Sequence, residues 1–276
     1  MTAPRRYTSL LLDVEGVLVR DKSCEPVPGA LAWFEGIVAR GTPHCLVSNN
    51  TTHAPAALAA ALRAAGFAVE ELRLVTALGL GARLLASWGK RRLLWLGAAD
   101  LEGWWRDAGF EIVREGPCDA VVLGADPALT TGDLDAALPA LVDGGAELVA
   151  LHRGLFYLDA AGRRRFGPGF YVAALEQAAA HPAVVIGKPQ DRIYRRALEI
   201  IGGAPRDALF ISDDPVADLV TAKRLGMGTA FVLSGKHADC GALGRLDQED
   251  WPDLIVDSLA DLEPPAPAAP QEDARP

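Results

Sequence analysis

Apolar and polar positions along the chain follow two alternating periods. Residues 7–12 form a short apolar run closed by Asp13, and residues 28–40 then place Leu31, Phe34 and Val38 at helical spacing. This predicts a strand, a loop and a helix. Residues 44–47 repeat the strand. Residues 55–65 repeat the helix, with Leu58, Ala61, Leu62 and Ala65 on one face and Gly66 as the stop signal. Such alternation predicts a parallel sheet covered by helices.

A second series fills residues 77–182: strands at 93–96, 120–123 and 147–150, a Trp-rich helix near 100–108 and a helix at 132–142. After Pro182 the first style resumes, with strands at 184–186, 208–211 and 228–233 and helices at 191–201 and 218–225. The expected fold is α/β, a doubly wound parallel-sheet core (1–76 and 183–262) with an inserted α/β domain (77–182). Residues 263–276, rich in Pro and Ala, are expected to be a disordered tail.

Charge narrows the function classes. With 36 Asp+Glu against 27 Lys+Arg the net charge is −9, which argues against an electrostatic nucleic-acid binder. Cys24, Cys45, Cys118 and Cys240 are scattered, without a C-x-x-C pair, and read as reduced thiols. Asp13 interrupts the apolar run at Leu10-Leu11-Leu12, so neither a signal peptide nor a membrane partner is expected. A cytoplasmic location follows from that reading.

In an open parallel sheet, ligands bind outside the carboxyl ends of the strands. Four such ends carry chemistry: Asp13-Val14-Glu15-Gly16-Val17-Leu18, Ser48-Asn49-Asn50-Thr51, Gly187-Lys188-Pro189, and Ser212-Asp213-Asp214 with Asp218 following. Taken singly, Asp13, Ser48 or Asp213 reads as a turn or helix cap and Lys188 as a solvated charge. Taken in order after four predicted strands, they fit phosphoryl transfer. Converging carboxylates need a hard divalent cation such as Mg²⁺, and a phosphate dianion fits beside that cation, a lysine and neutral donors. One carboxylate is then available as a nucleophile and another as a proton shuttle.

These stretches resemble the motifs of the haloacid dehalogenase (HAD) superfamily, D-x-D-G-x-L, then Ser/Thr, then Lys, then an acidic pair. The long insertion between Ser48 and Lys188 resembles the type-IIA cap of the NagD-like and p-nitrophenylphosphatase-like branch. The stretches from Leu148 to Tyr157 and from Phe166 to Phe170 resemble the phospholysine/phosphohistidine/pyrophosphate phosphatase relatives. The resemblance implies Asp13 as nucleophile and Mg²⁺ ligand, the backbone carbonyl of Glu15 as a second ligand and Asp213 as a third. Asp218 would support the metal shell, Ser48 and the Asn49 amide (with Asn50) would hold phosphoryl oxygens, and Lys188 would screen charge. Two positions depart from the pattern. The family's second aspartate, its general acid/base, is Glu15 here, and the glycine before the motif-four aspartate is Ser212.

In the insertion, His152 and Arg153 are candidate contacts to the leaving group, and Asp159-Ala160-Ala161-Gly162 reads as a hairpin tip followed by Arg163-Arg164-Arg165. Gly79-Leu80-Gly81-Ala82-Arg83-Leu84 lacks the third small residue of a dinucleotide fingerprint. Trp88, Trp95, Trp104 and Trp105 read as domain core or a surface for homodimer pairing through the insertion. The function expected is a Mg²⁺-dependent phosphatase acting on a small phosphorylated metabolite through an aspartyl-phosphate on Asp13. The alternative is a catalytically weakened member that binds a phosphorylated ligand or partner.

Overall fold

A computed structural model describes residues 6–158 and 163–264. The chain divides into two compact units, Met1–Val47, Ala59–Leu74 and Tyr194–Pro276 in one, and Ser48–Leu58 and Val75–Ile193 in the other. The chain begins with β1 (Ser9–Leu12), α1 (Ala30–Ala39), β2 (His44–Ser48), α2 (Pro55–Ala64), β3 (Leu74–Thr76) and α3 (Ala77–Ser87). It continues with β4 (Arg92–Leu96), α4 (Glu102–Asp107), β5 (Glu111–Val113), β6 (Ala120–Leu123), α5 (Thr131–Val142), β7 (Glu147–Ala150), β8 (Phe156–Leu158), β9 (Arg164–Phe166) and α6 (Pro168–Ala179). The last elements are β10 (Val184–Val185), α7 (Asp191–Ile201), β11 (Ala208–Ser212), α8 (Val220–Arg224), β12 (Gly228–Val232) and β13 (Leu254–Val256).

The first sheet has the order β13-β12-β11-β1-β2-β3. β1 pairs in parallel with both β2 and β11, β11 with β12, and β12 with β13. Leu10, Leu11 and Leu12 are all fully buried, the continuous burial that a parallel sheet covered on both faces requires. α1 turns Trp33, Phe34 and Ile37 inward. There Phe34 meets Phe67 and His44 edge-on at 5.6 and 5.2 Å. Trp33 Nε1 donates to the carbonyl of Leu262 at 2.7 Å, which ties the last described residues to α1. Because these strands are parallel, their carboxyl ends share one edge. Asp13 follows β1 there, while Ser48 and Ser212 end β2 and β11.

The second sheet has the order β10-β7-β6-β4-β5, with every pair parallel. Leu94, Leu96, Val121, Leu123 and Leu148 pack with Val172 and Leu175 of α6 and Ala137 of α5. Trp105 is fully buried, with Trp104, Trp95 and Phe110 around it at 5.1, 5.3 and 5.4 Å. Trp95 and Trp105, read from the sequence as domain core or a pairing surface, are therefore interior. Trp88 is partly exposed, beneath the Arg192 guanidinium at 5.9 Å. Gly79 and Gly81 lie inside α3, and Gly81 has no room for a side chain because Leu151 would lie 2.4 Å from its Cβ.

The fold class agrees with the sequence reading, but the compact units divide the chain differently, since Ser48–Leu58 and the stretch from Val75 belong to the second. The strand after the insertion, expected to return to the first sheet, is β10, and it pairs with β7 in the second. The second unit accordingly runs on to Ile193 rather than ending at 182. Periodicity identifies Val184-Val185-Ile186 as a strand and carries no information on its partner. The expected helix at 218–225 is shorter, since Pro215–Leu219 forms a wide turn before α8. β3, β5 and β13 have three residues each, too few to show a period. α6 was hidden by its Pro168-Gly169 start, which reads as a turn although proline suits the first helical position. The hairpin tip at 159–162 and residues 265–276 of the expected tail lie outside the described residues. Among the described residues, no helix is long and apolar enough to cross a membrane.

His44 makes the first unit's stability pH-dependent. Burial holds its imidazole below the ordinary value of 6.5, outweighing the hydrogen bond to the Thr42 carbonyl at 2.8 Å. As pH falls below about 6.5 the unfolded chain takes up this proton before the native one does, so native stability drops until the native pKa is passed. Urea midpoints measured between pH 8 and pH 5 are expected to fall less for His44→Leu than for the parent. Parallel curves would show that His44 does not contribute.

Candidate active site

The acidic group belongs to the first unit. Asp13 leaves β1 with its N–H still in the ladder, bonded to the Ile211 carbonyl at 2.9 Å, and its Oδ1 accepts the Val14 N–H at 2.8 Å. The chain then turns sharply through Gly16, whose φ is +82°. At the end of β11 the Ser212 hydroxyl lies 2.6 Å from Asp218 Oδ2 and 3.3 Å from Asp13 Oδ2, and it accepts the Asp214 N–H at 3.2 Å. One hydroxyl proton thus faces two buried carboxylates, and the shorter contact assigns it to Asp218. Tyr194 donates its O–H to the Asp218 carbonyl at 2.9 Å. Burial pushes the Tyr194 phenol well above its ordinary value, and the charges of Asp218, Asp13 and Asp214 add to this.

The loop after β12 completes the group. Asp213 Oδ2 accepts the Lys236 N–H at 2.6 Å, and Ser234 Oγ donates to the Gly16 carbonyl at 2.8 Å. A Cβ on Gly16 or Gly235 would lie 2.0 or 2.1 Å from Asp213 Oδ2, so only glycines leave room for this carboxylate. Burial raises the Asp214 carboxyl, but the Lys236 ammonium at 2.5 Å and the Ala217 N–H outweigh it and hold it below the usual value. Sequence reasoning missed Ser234, Gly235 and Lys236. The strand-end rule would have found them, because Ser234-Gly235-Lys236 follows a predicted strand.

Ser48, Asn49, Asn50 and Lys188 belong to the second unit. Ser48 is fully buried, and its Oγ accepts the Asn50 N–H at 3.0 Å, leaving the hydroxyl proton to donate elsewhere. Asn50 Oδ1 caps the following turn through the N–H groups of Thr52 and His53, so its oxygen is used structurally. Thr51 Oγ1 accepts the Ala125 N–H at 2.8 Å at the end of β6. Lys188 is 3% exposed, with Asn49 bonded to its backbone.

The remaining candidates are placed differently. His152 follows β7, and its Nδ1 lies 3.2 Å from the Gly154 N–H. Arg153 pairs with Glu176 of α6 at 2.6 Å, and Glu176 also accepts the Ala183 N–H. That places the Arg153 guanidinium in a structural pair. Glu15 is half-buried, and its charge acts on Lys22 and Cys24. Among the described residues, no group of three or more His, Cys, Asp or Glu side chains is spaced to hold a metal ion. Asp13, Asp213 and Asp218 are therefore not spaced as three side-chain ligands, and Glu15 was expected to contribute only its backbone carbonyl.

Comparison with known proteins shows the family. A haloacid dehalogenase-like hydrolase model matches residues 10–111, and a HAD-hydrolase-like model matches residues 185–262. The haloacid dehalogenase-like hydrolase domain-containing protein 2 of Rattus norvegicus is 31% identical over 86% of this chain and 88% of its own length. The chain belongs to the haloacid dehalogenase-like hydrolases. The glycerol-3-phosphate phosphatase of Homo sapiens is 29% identical, over 93% of this chain and 90% of its own. A p-nitrophenyl phosphatase structure from Archaeoglobus fulgidus matches with TM-score 0.82 and 26% identity, over 93% of this chain and 98% of that one. A glycerol phosphate phosphatase from Mycobacterium tuberculosis, solved in complex with calcium, matches with TM-score 0.78 and 26% identity, over 92% of this chain and 74% of that one.

Two glycines separate backbone strain from contact with Asp213. Gly41 also has positive φ, +64°, with open space where a Cβ would lie. Gly41→Ala is expected to cost about 1–2 kcal/mol through its backbone alone. Gly16→Ala should cost roughly 1–3 kcal/mol more, because Asp213 must move or be compressed. Chemical denaturation of the two variants checks this, and equal losses would show that Asp213 yields without cost.

Proposed function

We propose that the protein is a Mg²⁺-dependent phosphatase of small phosphorylated metabolites. The observation that carries the reading is Asp13, a buried carboxylate directly after a central parallel strand, whose Oδ1 accepts the Val14 N–H. Phosphatases among the similar proteins, acting on glycerol phosphate or p-nitrophenyl phosphate by their names, support it. A divalent ion would be held by Asp13, Asp213 and the carbonyl of Glu15, and would supply charge neutralisation for the phosphate. The calcium in the mycobacterial relative accords with an oxygen-ligand site.

In the reaction so assigned, Asp13 attacks phosphorus and the bond to the leaving oxygen breaks, giving an aspartyl-phosphate. Glu15 gives its proton to the leaving oxygen and then takes one from the water that hydrolyses the acyl phosphate. Ser48 and the Asn49 N–H donate to phosphoryl oxygens, and Lys188 balances their charge. His152 remains a candidate contact to the leaving group.

Phosphate release should be measured over a panel of small phosphomonoesters with and without Mg²⁺. Activity is expected only with the ion, and Asp13→Asn should abolish it. Turnover surviving that substitution would remove the mechanism. Glutamate at position 15 displaces the acid by about 1.5 Å relative to aspartate, and a misplacement of about 1 Å can cost ~10²-fold. Glu15→Asp is therefore expected to raise kcat on p-nitrophenyl phosphate, and Glu15→Gln to lower it while sparing Mg²⁺ affinity. Loss of activity in Glu15→Asp would show a pocket reshaped around the longer acid. Orthophosphate binding without turnover under any divalent ion would favour the weakened, ligand-binding alternative, to which the Glu15 departure points.

A further inference from the structure

Lys188 begins where the second sheet's ladder stops. The N–H groups of Ile186 and Gly187 bond to the carbonyls of Ala150 and Leu151 at 3.0 and 2.8 Å, and after Lys188 comes Pro189, which has no N–H to offer. At this point the Asn49 side chain takes over. Its Oδ1 accepts the Lys188 N–H at 2.8 Å, and its Nδ2 donates to the Lys188 carbonyl at 3.0 Å. The amide presents the same donor and acceptor pair as a peptide group, and both bonds close on one residue.

The neighbouring glycine is matched to this contact. A Cβ on Gly187 would lie 2.3 Å from Asn49 Oδ1 and 2.8 Å from the Leu151 carbonyl, so only glycine lets the amide approach. Gly187 has no positive φ, which means close approach rather than backbone conformation demands it. All of these groups lie in the second unit.

We propose that Asn49 is a positioning residue whose side chain fixes the Lys188 backbone and so aims its ammonium, instead of binding the phosphoryl group itself. The inference rests on the reading of Lys188 as a phosphoryl-binding lysine. With Oδ1 and one Nδ2–H both turned onto Lys188, the Asn49 side chain is held by that contact, and the phosphoryl role of this residue falls to its backbone N–H.

A double-mutant cycle tests this. Asn49→Leu, of similar volume, Asn49→Ser, Lys188→Met and the two double variants would be assayed with Mg²⁺ for kcat/KM on p-nitrophenyl phosphate. Orthophosphate affinity would be measured by calorimetry on the same proteins. Each Asn49 variant alone should lower kcat/KM by about 10²-fold, the effect of a misplacement of about 1 Å, and weaken orthophosphate binding. In the Lys188→Met background, the same change should alter either quantity by less than about threefold, because the group it aims is already gone. Gly187→Ala should reproduce the Asn49→Leu profile. A full second loss in the Lys188→Met background would overturn the proposal, since Asn49 would then act on the substrate or the fold directly. Parental activity in the Asn49 variants would also overturn it. Parental activity in Lys188→Met would instead remove the reading of Lys188, and this inference with it.

Discussion

Burying carboxylates beside one another is the constraint from which the first unit's site follows. Asp13, Asp213 and Asp218 are 7%, 7% and 4% exposed. In such surroundings ionised oxygens are costly unless each is met by donors. The chain supplies these from backbone N–H groups and one hydroxyl: Val14 to Asp13, Lys236 to Asp213, and Ser212 to Asp218. Gly16 and Gly235 are consequences of the same need, because any side chain there would fall on Asp213. The Lys236 ammonium answers the neighbouring Asp214, so the loop after β12 serves two adjacent carboxylates with two different groups.

Ser212 gains a physical reading in this light. A glycine there would offer no hydroxyl to either Asp13 or Asp218. The serine has one proton for two acceptors, and the 2.6 Å contact outcompetes the 3.3 Å one. The hydroxyl therefore serves Asp218 first and gives Asp13 Oδ2 only a longer contact, while Asp13 Oδ1 accepts the Val14 N–H.

Much of this was legible in the sequence for a simple reason. Strands can be read from periodicity, so the places of Asp13, Ser48, Lys188 and Asp213 at strand ends could be picked out in advance. What stayed hidden depends on pairing between distant positions. β10 reads as a strand on its own, but its place beside β7 is decided by packing. The pairing of Arg153 with Glu176, 23 residues away on α6, has no signal in the sequence. The capping of the following turn by the Asn50 side-chain oxygen was likewise not read from the sequence. Tyr194 carried no signal, since a tyrosine on an amphipathic helix reads as core.

Glycine at the strand ends does two separable jobs. Gly16 combines positive φ with a close carboxylate, whereas Gly97, Gly124 and Gly187 have no positive φ. In the second unit a Cβ on Gly97 would lie 2.2 Å from the Trp95 ring, and one on Gly124 would lie 2.5 Å from it. Trp95 donates its Nε1–H to the Ala98 carbonyl at 3.0 Å, which holds the indole against this backbone. The carboxyl ends of β4, β6 and β10 are therefore shaped by side chains lying directly on main chain, an indole at the first two and an amide at the third. Surfaces built this way have little freedom to relax, because the groups in contact are backbone and rings instead of flexible side chains. Rigidity at the Lys188 strand end thus comes from contact with the backbone, and substitutions there act through displacement of the chain before they act through chemistry.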